Sequence, residues 1–88
     1  MKKTDHLILG VHVTDRMHRA EEIQAVFTKH GGTIKTRLGL HEVDGRQGAP
    51  SGVILLEVIG PAKNATALAK DLRRIRGVEV RQITFRHA

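Results

Sequence analysis

Leu7-Ile-Leu-Gly-Val-His-Val13 runs straight into Thr14-Asp15-Arg16. Apolar residues recur at Leu7, Leu9, Val11 and Val13, a period of two that lines one face of a strand. A polar turn follows, then a helical spacing at Met17, Ala20, Ile23 and Phe27. The same grammar returns 45 residues later. Leu9, Val11 and Val13 correspond to Ile54, Leu56 and Val58, and Ala20, Ile23 and Phe27 correspond to Ala65, Leu68 and Leu72. The chain is a strand–helix–strand unit written twice.

Eighty-eight residues fit one domain, residues 1–88, and are too few for two independent cores. The composition, 40% apolar and 27% charged, is that of a folded globular chain. Without cysteine there is no disulfide, thiolate metal site or cysteine nucleophile. The apolar runs fall well short of a membrane span, and Asp5 and His6 interrupt any signal-peptide core after Met-Lys-Lys. The expectation is a cytoplasmic protein that does not enter a membrane.

The formal charge of +6, with six histidines besides, raises the question of nucleic acid. Such a binder would use the basic helix end at residues 70–76 with Lys35, Arg37 and Arg81. The basic residues are scattered, however, and the aromatic residues are two phenylalanines that fit the core pattern. Stacking platforms for single-stranded bases are therefore missing. Nucleic acid is the less favoured partner.

Along the chain, residues 1–4 read as a mobile arm and 5–13 as the first strand. Asp15 suits the N-cap of a helix over 16–30, and Gly31-Gly32 is expected to stop that helix in the left-handed conformation. In the second strand, 33–43, Ile34, Thr36, Leu38 and Leu40 alternate with Lys35, Arg37, Gly39 and His41; the first set is assigned to the core. Residues 44–52 form a turn-rich hairpin loop. The third strand, 53–59, is apolar on both faces, as a central strand should be. Pro61 opens a second helix over 62–76, buried through Ala65, Leu68, Ala69, Leu72 and Ile75, and Gly77 caps it. In the last strand, 78–85, the apolar phase slips between Val80 and Ile83, which suggests a bulge or an early end.

The order βαββαβ defines an α+β ferredoxin-like plait: an antiparallel sheet of order 4-1-3-2 with both helices on one face. The outward phase places Ile8, Gly10 and His12 of strand one, Val53, Leu55, Glu57 and Ile59 of strand three, and a Lys35/Arg37/His41 row of strand two on the open face. So much apolar surface marks a contact. The expectation is a homo-oligomer, dimer or tetramer, joined through the sheet face, with Ile8, Gly10, Val53 and Leu55 at its centre, or through strand edges.

Gly10-Val-His-Val-Thr-Asp-Arg16, Lys29-His-Gly-Gly-Thr-Ile-Lys-Thr-Arg37, Gly39-Leu40 and Ile75-Arg-Gly-Val-Glu-Val80 resemble the small stand-alone ACT-like proteins. In layout the chain is similar to the iron-only hydrogenase system regulators, which in turn resemble the C-terminal domain of the nickel-responsive repressor. The resemblance covers almost the whole chain. It implies a regulatory module that binds a small ligand at a subunit interface.

The repressor's nickel ligands do not carry over: Gly39-Leu40-His41 keeps one histidine of a His-x-His pair, and there is no cysteine. A different transition-metal site, from His12, His41 and the nearby His18, is conceivable, since neutral imidazole suits zinc, nickel or copper. Its plainer alternative is that His12 and His41 are half-buried interface residues. For a small-molecule ligand the resemblance points to the turn after strand one. There, at Thr14-Asp15-Arg16, Asp15 could accept from an ammonium and Arg16 could hold a carboxylate; otherwise Asp15 is only a cap. The acylphosphatase-like alternative needs a glycine-rich anion loop that Thr14-Asp15-Arg16 does not supply, and no catalytic constellation emerges. The chain is expected to be a non-enzymatic regulator without its own DNA-binding domain, or else a ligand-free protein–protein interaction module.

Overall fold

The computed structural model describes residues 5–14, 16–40 and 52–86. The elements are β1 (His6–Val13), α1 (Arg16–Lys29), a single 3-10 turn at Gly31–Thr33, β2 (Ile34–Leu40), β3 (Gly52–Val58), α2 (Ala62–Arg73) and β4 (Val78–Phe85). The strands form one antiparallel sheet of order β2-β3-β1-β4, the plait that the sequence implies. No helix among the described residues is long and apolar enough to cross a membrane.

The core lies between the sheet and the helices. Leu7, Leu9, Val11 and Val13 of β1, Leu56 and Val58 of β3 and Val80 of β4 meet Ile23 and Phe27 of α1 and Ala65, Leu68, Ala69 and Leu72 of α2. Each leucine or valine fully removed from water contributes about 2 kcal/mol before conformational entropy is subtracted. Ala20, assigned inward by its spacing, is exposed; the partly buried flank of α1 is taken by Arg19. A long aliphatic stem can line a core while its head stays polar.

Three local expectations are corrected. Gly31 and Gly32 are not left-handed: positive φ occurs only at Gly60 and Gly77 among the described residues. Thr33 instead closes α1, its N–H and its hydroxyl both donating to the His30 carbonyl at 2.9 Å. In β2 the faces are the reverse of those assigned. The register shifts between Ile34 and Thr36, which leaves Lys35 as an extra residue. Ile34 packs on the core, whereas beyond the shift Thr36 stands opposite Glu57 and Leu38 opposite Leu55. A slip of one residue moves every following side chain to the other face. Arg37 therefore lies on the helix side, its guanidinium 4.9 Å from the Phe27 ring centroid and donating to Gln24 of α1. Finally, β4 has neither a bulge nor an early end, since it pairs with β1 without interruption from Val78 to Phe85. Ile83 and Phe85 lie on the open face, 51% and 57% exposed.

Candidate functional site

Two regions carry the residues singled out by the sequence: the open face of the sheet, and the turn where β1 meets α1. Strand register builds the first in rows. Thr36, Glu57, Ile8 and Ile83 form one row across β2, β3, β1 and β4, and Leu38, Leu55, Gly10 and Arg81 form the next. In a third row Val53 and Glu79 flank His12. Ile8, Gly10, Val53 and Leu55 are half-buried, as expected of the face, and Leu38, 52% exposed, joins them.

Polar groups punctuate this face. Glu57 accepts from Thr36 Oγ1 at 3.0 Å and lies 2.6 Å from His6 Nε2. The His6 contact first, then the Thr36 hydroxyl, hold the Glu57 carboxyl below its ordinary range. Glu79 binds Arg81 Nη2 at 2.7 Å and stands 4.0 Å from His12 Nδ1. Between them, over Gly10, is a shallow hollow of about 240 Å³ lined by Gly10, His12, Val53, Glu79 and Arg81. A Cβ at Gly10 would meet its neighbours no closer than 3.9 Å, so the fold of one chain does not demand glycine there.

The two described members of the candidate metal set, His12 and His18, are not brought together. His12 is on the open face, His18 is exposed on α1 across the sheet, and His41 lies outside the described residues. No group of three His, Cys, Asp or Glu capable of holding a metal occurs among the described residues. The basic residues also divide, with Arg81 on the open face and Arg37 against α1. In α2, Arg73 donates to the Val80 carbonyl at 3.1 Å and Arg74 lies 3.8 Å from Asp71.

At the second region Thr14 ends β1, Arg16 is the first residue of α1, and Asp15 lies outside the described residues. Thr14 is clasped to the turn between α2 and β4. Its N–H and its hydroxyl both donate to the Gly77 carbonyl, at 2.9 and 3.0 Å. Gly77 has φ +81°, and a Cβ there would stand 2.6 Å from Thr14 Oγ1. Only glycine meets both demands. Beside this clasp opens a cavity of about 460 Å³ lined by Thr14, Arg19, Arg76 and Gly77. Arg19 was marked by no motif, and Arg76, part of the basic helix end and of Ile75-Arg-Gly-Val-Glu-Val80, was not linked to the turn after β1, which lies far from it in the chain.

No family model matches the chain, and no curated protein matches it. Among solved structures it is similar to the uncharacterized protein TM1266 from Thermotoga maritima, with 21% identity, a TM-score of 0.79, and coverage of 97% of this chain and 100% of that one. It is also similar to CPII from Thiomonas intermedia K12, a nitrogen regulatory PII-like protein bound to ADP, AMP and bicarbonate. There the identity is 13%, the TM-score 0.60, and the coverage 96% and 98%. The apo form of CPII aligns with the same TM-score of 0.60 and 13% identity, over 91% of this chain and 90% of that one. These likenesses establish a shared fold, the ferredoxin-like plait.

Proposed function

We propose that this chain is a small regulatory or sensor protein of the ACT-like class that assembles through the open face of its sheet and responds to a small ligand, without catalysing a reaction. One observation carries the assembly: Ile8, Val53, Leu55, Leu38, Ile83 and Phe85 occupy one continuous face that no element among the described residues covers. Contiguous apolar surface of this kind is characteristic of contact sites. The ligand part of the reading is supported by the fold shared with CPII, which binds adenine nucleotides and bicarbonate. The layout resemblance to the hydrogenase system regulators makes an accessory role in transcriptional regulation, in the cytoplasm, the finer form of the same reading.

The test is native mass spectrometry of the full chain and of Leu55→Glu, with and without zinc, nickel and a pool of amino acids. A dimer or tetramer that Leu55→Glu converts to monomer is the expected result. A wild-type monomer overturns assembly through the face. Retained zinc or nickel would direct substitutions to His12, His18 and His41, and a retained amino acid to Thr14, Asp15 and Arg16.

A further inference from the structure

The 45-residue repeat sets Arg19 of α1 at the position of Asn64 in α2. The two residues treat their turns differently. Asn64 seals the turn after β3, its side-chain N–H donating to the Ile59 carbonyl at 3.2 Å and packing against the left-handed Gly60. Arg19 leaves the turn after β1 open. Its side chain is only 27% exposed, and Nη1 is bound by Glu22 Oε1 at 2.9 Å, while Nε is buried with no acceptor among the described residues. A guanidinium cannot discharge this cost by losing its proton, so a buried unpaired N–H of arginine calls for an acceptor. Arg76, which also lines this cavity, is exposed and has no ion-pair partner among the described residues. Glu22 is half exposed and meets only one of the Arg19 nitrogens.

From this geometry we infer that the 460 Å³ cavity between the β1–α1 turn and the α2–β4 turn binds a phosphate-type oxyanion, held between Arg19 and Arg76 beside Thr14. The inference rests on the reading of the chain as a ligand-responsive protein and names the class of its ligand. Guanidinium groups suit tetrahedral oxyanions because their forked N–H donors engage two oxygens at once. A phosphate group offers a tetrahedral set of oxygens, enough to accept from both arginines and from the Thr14 side of the cavity at once. The Thr14–Gly77 clasp fixes the two turns against each other, so the two arginines stand on walls already tied together.

The experiment is an amide-resolved NMR titration of the full chain with inorganic phosphate, with chloride used to hold ionic strength constant. Saturable shifts confined to the neighbourhood of Thr14, Arg19 and Gly77 are expected, with affinity falling about tenfold or more in Arg76→Gln. Arg19→Met should abolish the response while leaving the melting temperature of the ligand-free protein unchanged or higher, because it removes the unpaired donor. Should Arg19→Met fail to fold, Arg76→Gln, at an exposed position, still decides the matter. A parallel titration with AMP separates the sources. Binding at least tenfold tighter than phosphate at the same amides assigns the site to a nucleotide phosphate, and equal affinity assigns it to the free ion. A phosphate response no larger than that of chloride, or an Arg76→Gln variant that titrates like wild type, overturns the site. The native mass of the same sample is read separately. A monomer that still binds phosphate overturns the assembly alone, and an oligomer indifferent to phosphate overturns the site alone.

Discussion

In β1 the whole inward row, Leu7, Leu9, Val11 and Val13, is sealed from solvent, whereas in β3 only Gly52, Leu56 and Val58 are, with Ile54 half-buried. Among the described residues the helices show the opposite imbalance: α2 buries Ala65, Leu68, Ala69 and Leu72, and α1 buries Ile23 and Phe27. The turns follow suit. Each central strand ends in a backbone clasp to the start of an edge strand, Thr14 to Gly77 in one half and Ile59 to Thr33 at 2.8 Å in the other. One turn is closed by its own asparagine and the other faces a cavity flanked by two arginines. The repeated pattern builds the fold, and the departures from the repeat are where the halves acquire separate uses.

The comparison is most sharply tested at the paired strand positions. Leu9→Ala should cost about 3 kcal/mol, as expected for a fully buried leucine, and Ile54→Ala only about 1 kcal/mol, since its side chain is half solvated. Urea unfolding of both variants checks this, and equal losses would mean that the halves share the core evenly. The clasps come next. Gly77→Ala should destabilise by about 2 kcal/mol, part from φ strain and part from displacing Thr14, with a coupling of about 1 kcal/mol to Thr14→Ala in a double-mutant cycle. Gly60→Ala, also left-handed, should show its coupling to Asn64 instead.

The smallest effect concerns the seam between the helices. Asp71 of α2 meets His30 Nε2 at 2.8 Å and Lys29 Nζ at 3.0 Å, at the end of α1. The His30 contact first, and then Lys29, hold its carboxyl at about 2, below the ordinary 3.8. A depressed pKa in the folded state stabilises above the unfolded value, so this contribution is complete above about pH 4 and disappears as pH falls to about 2. Asp71→Asn should flatten that part of the profile of urea midpoint against pH. An unchanged slope would mean that other carboxylates, Glu57 among them, carry the acid sensitivity.

The plait was legible because the same apolar spacing occurs twice, and because Val53-Ile-Leu-Leu-Glu-Val-Ile59 announces a central strand. The facing of β2 was not. Ile34, Thr36, Leu38 and Leu40 alternate as a core row should, and nothing in the run Lys35-Thr36-Arg37 signals an extra residue. The slip at Ile83 and Phe85 was visible but had another cause: the inward face there gives way to Gln82 and Thr84, and the apolar side chains belong to the open face. Asp15 and His41 lie outside the described residues. The pairing of Arg19 with Arg76 was hidden because a cavity between two turns has no local motif. The repeat did hold a clue, since it sets an arginine where the other half has the asparagine that closes its turn.

The extra residue at Lys35 reaches beyond the question of which way β2 faces. An edge strand offers a row of free backbone donors and acceptors to any strand that drifts past, and a straight edge is a template for uncontrolled growth. The shift between Ile34 and Thr36 breaks the regularity of that row near its beginning and sets a lysine at the break. Bulges and lysines are both devices that blunt such edges. The β2 edge is thereby a poor template for another strand, whereas the β4 edge, paired regularly with β1 from Val78 to Phe85, keeps a straight row.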